Sequence, residues 1–515
     1  MQWHFYRKPF RRNKDNQIGI IVSVYWQFSS SSVLVLLLGI LTVFTACRSI
    51  QASTDKIPSL VLEPQTTPPL AAKPTAQRKS ALNATPTTLP KSLAFRKSLS
   101  VQEKNKSCHD EVASPNEPIR IGVLAPVSES TAYQAGLAMM TAADMASAEI
   151  NARGGVLNRP LQLVSVDTKG DPITAAQSVV KVILKDCVVG LIGGYHSHVA
   201  LEIKEIAHDY EVPIIFAESY HDQITADHYP EVFRISPSSN MVNKQFAQWF
   251  AHIGDFNNDG EITVTVIAED TPGSIERLKE FAGVLSEYNI SLSPFLVDLP
   301  ANEFSSIIAR LVSLYQMPDF VFVWFNGESG YSLLQQLDEA AIGPTNQTII
   351  ITRQPALNHE LFWNKLPDGI NMVVTKIGPW YSTVTEMGRA FAANYQENQG
   401  FWPESYAFGT HDAVWLMADA VHRAETTEAV AVIAALESTY TELAAGRYCF
   451  TQMNANDLDA GNNGFCSSQY DSTWHQWPDA QILILQYTLP NQSSHAMEVI
   501  WPPLHQSADF SVYFE

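Results

Sequence analysis

From residue 118 onward, short apolar runs of strand length alternate with amphipathic stretches of helical period, and this alternation limits the fold more than any other feature. The clearest case is residues 188–225. The run VVGLI (188–192) is strand-length and rich in β-branched residues. Gly193-Gly194 ends it with a tight turn. A helical pattern over 199–210 then places Val199, Ile203, Ile206 and Ala207 on one face, before a second apolar run over 212–217. That is one βαβ unit. Tyr195, His196, Ser197 and His198 follow the first strand, and Glu218, Ser219 and Tyr220 follow the second. In open α/β sheets the ligand crevice lies outside those carboxyl ends. The same residues also suit ordinary polar loops.

The pattern continues on both sides. A strand at 119–126 leads through a polar loop to a helix over 132–152, which stops at Gly154-Gly155. A strand at 161–168 and a helix at 173–185 complete the first series, and VFRISPS (232–238) crosses to a second. There, strands at 262–270, 291–299, 319–327 and 348–354 are separated by helices near 274–288, 303–315 and 329–341. A strand at 370–378, helices near 384–399 and 405–424, and a Trp/Tyr-rich tail (470–487) follow. Strands alternating with helices predict doubly wound parallel sheets. Residues 118–515 exceed one comfortable core, so the expectation is α/β with two similar lobes.

The net charge of −20 is unevenly spread. Residues 118–515 hold 18 Lys/Arg against 46 Asp/Glu, whereas 1–117 are net basic. So acidic a body argues against nucleic-acid binding. Residues 1–47 carry five basic side chains before a hydrophobic region, and its inner part (33–44) has the length of a signal-peptide core rather than a full span. It ends in Phe44-Thr45-Ala46-Cys47. Small residues before Cys47 resemble a bacterial lipobox, with Phe44 in place of the usual leucine. Lipidation at Cys47 and an uncleaved anchor helix both remain open. Either leaves the chain tethered to the membrane with everything beyond residue 47 outside the cytoplasm. Residues 48–117, rich in Pro, Ser, Thr and Lys, predict a disordered linker. Cys108 has no assigned partner, Cys187 reads as a buried thiol at a strand start, and Cys449 and Cys466 flank a loop that a disulfide would close.

Several segments together identify a resemblance. IRIGVLAPVSES, EINARGGVLNRPLQLVSVDTKGDP, VVGLIGGYHS, VPIIFAES, PEVFRISPS, EDTPG, PDFVFVWF, PDGINMVVT and SYAFGTHDAVWLMADAV run in family order over nearly all of 118–440. They look like the Leu/Ile/Val-binding family of extracytoplasmic receptors that serve ABC importers. The resemblance implies a type I periplasmic-binding fold: one lobe from 118–237 with about 353–445, the other from 238–352 with about 446–515. It also implies a hinge, closure around a small polar solute, ABC permease subunits as partners, and a periplasmic or cell-surface location.

The resemblance also implies ligand contacts. Ser197 matches the serine of the family's carboxylate-binding turn, with His198 beside it. Glu218, Ser219 and Tyr220 fall in the second turn, where Glu218 and Tyr220 are larger than the family's usual residues. Pro272 stands where many members carry an aromatic, Glu328 lies within one position of the acid expected to bind an ammonium group, and Tyr133 is near the aromatic of the first loop. Each has a plainer role as well; Glu328, for instance, suits a helix start. His196 and His198 lack a third metal ligand fixed by spacing. Asp255, Asn257 and Asp259 match the first half of an EF-hand loop, but Val266 stands where its bidentate Glu belongs. No cofactor is expected, and without a G-x-S-x-G elbow or other catalytic constellation the reading is not an enzyme. A receptor passing occupancy to a signalling partner is the alternative.

Overall fold

The computed structural model describes residues 117–513 apart from 129, 315–316, 326, 354–358, 368 and 451–473, and Lys104 and Cys108 in addition. The first lobe alternates β1 (Ile119–Ala125), α1 (Tyr133–Ala152), β2 (Leu161–Asp167), α2 (Pro172–Lys185), β3 (Gly190–Gly193), α3 (Ser197–Asp209), β4 (Ile214–Phe216), α4 (Gln223–Ala226) and β5 (Val232–Arg234). Its strands form an all-parallel sheet in the order β2-β1-β3-β4-β5. The central strands β1, β3 and β4 are buried along almost their whole length, as a sheet covered by helices on both faces requires. Asp171 starts α2 by accepting the Thr174 N–H at 2.7 Å, with Pro172 in the first turn where no donor is lost. Ala175, Val179 and Val182 of α2 and Val199, Ile203 and Ala207 of α3 then share one apolar cluster with Leu191, Ile214 and Phe216.

The second lobe repeats the plan. It runs α5 (Ser239–Ile253), β6 (Ile262–Glu269), α6 (Pro272–Glu287), β7 (Ile290–Val297), α7 (Ser305–Val312), β8 (Phe320–Val323), α8 (Gly327–Glu339), β9 (Ile349–Thr352), α9 (His359–Lys365) and β10 (Val373–Ile377). The strands lie in the order β7-β6-β8-β9-β10, all parallel, the same winding as the first lobe. Its core is aromatic: Phe246, Trp249, Phe250, Phe281 and Phe320 are buried together. Two antiparallel strands, β13 (Ile482–Gln486) and β14 (Glu498–Trp501), extend the sheet beyond β10.

Between β10 and β13 the chain returns to the first lobe as α10 (Glu386–Gln399), α11 (Ser405–Ala424), α12 (Ala429–Glu437) and a hairpin of β11 (Thr441–Glu442) and β12 (Arg447–Tyr448). Buried Asp412 of α11 holds that hairpin, accepting the N–H groups of Ala444 and Ala445 at 3.0 and 2.7 Å and the Tyr448 hydroxyl at 2.9 Å. The chain therefore crosses between lobes after β5, after β10 and before β13. At these crossings Arg234 and the 475–477 segment exchange backbone hydrogen bonds, and Gly378 N–H reaches Gln481 O at 2.8 Å. The buried Arg234 guanidinium also donates to His221 O at 2.7 Å and to Thr225 Oγ1 at 3.3 Å, fixing one hinge strand to the β4–β5 connection.

Three expectations need correction. The second-lobe sheet reaches past residue 353, because β10 hydrogen-bonds to β9 and β13 rather than to the first sheet. Conversely, part of 446–515 belongs with the first lobe, since Gln476 bridges Arg234 beside β5. The linker boundary also moves: Lys104 Nζ donates to Tyr210 O at 2.9 Å, and Cys108 is disulfide-bonded to Cys187. Cys187 is thus no free thiol. Cys449 is engaged in a disulfide, while Cys466 lies outside the described residues. Cys47 and residues 1–103 also lie outside them. No helix among the described residues is long and apolar enough to cross a membrane.

Candidate functional site

The carboxyl ends of β3 and β4 face those of β8, β9 and β10 across a cavity of about 600 Å³. Both lobes supply its walls.

The first wall begins at Gly193-Gly194. Both have positive φ, and a Cβ on Gly193 would lie 2.5 Å from Leu124 O, so only glycine permits the turn. The turn delivers Tyr195, His196 and Ser197 to the cavity. Ser197 Oγ accepts the N–H groups of Tyr220 and His221 at 3.2 and 3.3 Å, clamping the β3 loop to the β4 loop. His198 turns its Nε2 to within 2.9 Å of Gly170 O and so braces the β2–α2 loop. Burial lowers the proton affinity of His196, and neighbouring His198 adds to it.

Glu218 follows β4 and is half-buried at the cavity wall. Its Oε1 accepts hydrogen bonds from the Tyr220 hydroxyl and, at 3.0 Å, from Ser405 Oγ at the start of α11. Desolvation pushes its carboxyl up to about 8, and these two hydrogen bonds offset only part of that. Glu218 is therefore largely protonated at neutral pH. Ser405 reaches it because α11 approaches β4 closely: a Cβ on Gly409 would lie 2.7 Å from Ala217 O.

The second wall is cationic. Arg277, on α6, lies over the Trp324 ring at 5.8 Å from its centroid, and Trp324 itself rests on Phe281 and Phe322. Arg353 directly follows β9. It is exposed at the cleft, where partial desolvation lowers its proton affinity and the charge of Arg277 lowers it further. Lys376, buried on β10, pairs with Glu404 just before α11, a tie between the second sheet and the first lobe's helices.

Residues 118–459 match the family described as periplasmic binding protein. The chain belongs to that family. The structure of this periplasmic binding protein is similar to LivJ of Streptococcus pneumoniae, a branched-chain amino acid substrate-binding protein in complex with isoleucine (17% identity, 75% of this chain and 100% of the other, TM-score 0.55). It is similar to the leucine-binding protein LivK of Thermotoga maritima (16%, 74% and 97%, TM-score 0.54). It also resembles an ABC transporter solute-binding protein of R. palustris in complex with benzoate (19%, 72% and 93%, TM-score 0.53). Among curated proteins none matches the sequence.

Of the residues singled out from sequence, this periplasmic binding protein gathers Ser197, His198, Glu218 and Tyr220 at the cavity. Four others lie off its lining. Ser219 is fully buried beneath the β4 loop. Pro272 is an exposed first-turn residue of α6, where Thr271 Oγ1 caps the helix by accepting Ser274 N–H at 3.2 Å. Glu328 points outward and pairs with Lys365 at 2.7 Å. Tyr133 is exposed at the first turn of α1. In the loop of Asp255, Asn257 and Asp259, Asp255 accepts the N–H groups of Asp259 and Gly260, and Asp259 accepts that of Glu261. Buried Asp319 fastens the same loop by accepting from Phe256, Asn257 and Thr263. Hydrogen bonding within the turn accounts for these side chains. Sequence reasoning passed over Arg277, Arg353, Lys376, Glu404 and Ser405. Arg353 was within reach, because it ends the apolar run IIIT as Glu218 ends IIFA; Arg277, one of many charges on a helix, carried no signal.

Proposed function

We propose that this chain is the extracytoplasmic solute-binding receptor of an ABC importer, holding an amino acid or a related small polar solute between two closing lobes. The observation that carries the reading is the cavity between the lobes, which has the size of a small solute and draws polar side chains from both walls. A solute touching both walls favours the closed arrangement by its extra contacts there, so binding itself drives closure. The chemistry is reversible recognition, with ABC permease subunits as the partners of the closed form. Cys47, lipidated, or the apolar segment before it as a helix, tethers the receptor to the outer face of the cytoplasmic membrane. Cys449 paired with Cys466 closes the loop between them.

Thermal unfolding of the full chain against amino acids, amides, carboxylates, polyamines and calcium tests the proposal. A solute at 100 times its Kd adds about 2.7 kcal/mol to the native state. A raised midpoint with no chemical change in the solute supports the receptor. A panel without any shift, or turnover of a solute, overturns it.

A further inference from the structure

The two arginines of the second wall are the least accounted-for groups of the cavity. Among the described residues neither Arg277 nor Arg353 has a hydrogen-bond or salt-bridge partner, though both face the same space. Both stand exposed to the cleft, and two cations near one another repel. The neighbouring carboxyl groups form no ion pair with them. Lys376 is taken by Glu404. Glu280, one turn along α6 from Arg277, forms no ion pair with it, and Asp222 and His221 act on it as well. Glu218 is engaged by Tyr220 and Ser405 and is mostly neutral at pH 7. A chain of net charge −20 thus sets three cations, Arg277, Arg353 and Lys376, beside the carboxyl groups of Glu218, Glu280 and Glu404 in its cleft, and leaves the two guanidinium groups without an ion pair among the described residues. Guanidinium forks match carboxylate oxygens in pairs. Beside them Phe246, Phe322 and Trp324 offer an apolar bed for the rest of a ligand.

We propose that the solute carries a carboxylate that lodges between Arg277 and Arg353, so that the second lobe takes the anionic end of the ligand and no ammonium group is required. This rests on reading the chain as a solute receptor. The preferred solutes are amine-free carboxylates with an apolar body. The rival role for Arg353 is a latch onto Glu218 when the lobes close, and the two roles separate by mutation.

Isothermal titration of the full chain at pH 7 would use benzoate and glutarate as amine-free carboxylates, leucine as a zwitterion and leucinamide as a cation. At least one amine-free carboxylate binds and leucinamide does not. Arg353→Ala and Arg277→Ala each weaken that binding by about 30-fold or more, as expected when one partner of a charge pair that the closed lobes shield is truncated. Unchanged thermal midpoints show that both variants fold. Glu218→Gln separates the two roles: a loss matching that of Arg353→Ala would assign Arg353 to the latch and overturn the proposal, and any smaller change supports the carboxylate seat. Carboxylate affinity insensitive to both arginine variants would also overturn it. Binding of leucine or leucinamide with benzoate and glutarate silent overturns the carboxylate seat and leaves the receptor standing. Silence across these solutes and the wider thermal panel removes both.

Discussion

The two walls of the cleft are built on the same winding but handle charge in opposite ways. The first lobe presents hydroxyls, imidazoles and a carboxyl that is held by Tyr220 and Ser405 and kept largely protonated by burial. The second presents two guanidinium groups, Arg277 seated on the Trp324 ring and Arg353 at the end of β9, with no hydrogen-bond or ion-pair partner among the described residues. The difference teaches that shared topology fixes where side chains emerge, at strand ends facing the crevice, and leaves their chemistry free. The carboxyl of the first wall is engaged within its own lobe. The other wall awaits a counter-charge.

The largest effect should come from the covalent tie that only the first wall's lobe carries through Cys108. Cys108→Ser opens a cross-link spanning 79 residues and should cost about 4.5 kcal/mol on the chain-entropy account, read as a lower denaturant midpoint. Reductant should do the same to the native chain, and in the variant should act only through the Cys449 disulfide. If the loss fell on the second lobe instead, the buried cluster that joins Ile121 and Ile192 of the first lobe to Val321 and Ile350 of the second would be carrying it across.

Next comes the aromatic support of the second wall. Phe281 is fully buried beneath Trp324, and Phe281→Ala should cost about 4 kcal/mol through lost burial and the cavity left behind. It should also loosen Arg277, weakening ligand binding while leaving the first wall's hydrogen bonds intact. Equal binding at matched stability would show that Arg277 does not depend on its ring platform.

The protonation contrast is tested by pH. The folded pKa of Glu218 lies near 8, above its ordinary 4.5, so the folded state holds a proton that the unfolded state has released between these values. Its contribution to stability is whole below about 4.5 and is lost as pH rises through 8. Glu218→Gln should remove this slope and stabilise the protein at pH 8.5 by about 2 kcal/mol, less than the full shift implies because the carboxyl opens onto cleft water. A variant keeping the native slope would place the titrating group elsewhere. Smallest is Ser405→Ala, which deletes one hydrogen bond at 3.0 Å and should cost about 1 kcal/mol. Since that bond favours the ionised form, its loss should move the Glu218 titration upward; a downward move would contradict the assigned network.

The strands and helices were mostly legible in the chain because burial on both faces writes itself as continuous apolar runs, and amphipathic helices write a 3.6-residue period. The helix expected over 405–424 is α11 (Ser405–Ala424), and the turn carrying Ser197 lies between β3 and α3 as its glycines indicate. The strand-end rule brought Glu218 and Tyr220 to attention, because it needs only local order. It applied equally to Arg353. Lys376 was harder to see, as a single charge in VVTKI reads like a solvent-facing position until β9 and β13 are known to flank it.

Other features had no local signature. The Cys108–Cys187 link joins positions 79 residues apart, and only the packing of the pre-lobe segment against the first lobe brings them together. The place of β10 inside the second sheet depended on pairing with both β9 and β13, the latter more than a hundred residues away. The sequence by itself determined the element types, their order and the strand ends that line the cleft, since these follow from burial patterns and turn chemistry over a few residues. Only the tertiary structure decided which charges are paired and which face the cleft unpaired, because pairing depends on distances between segments remote in the chain.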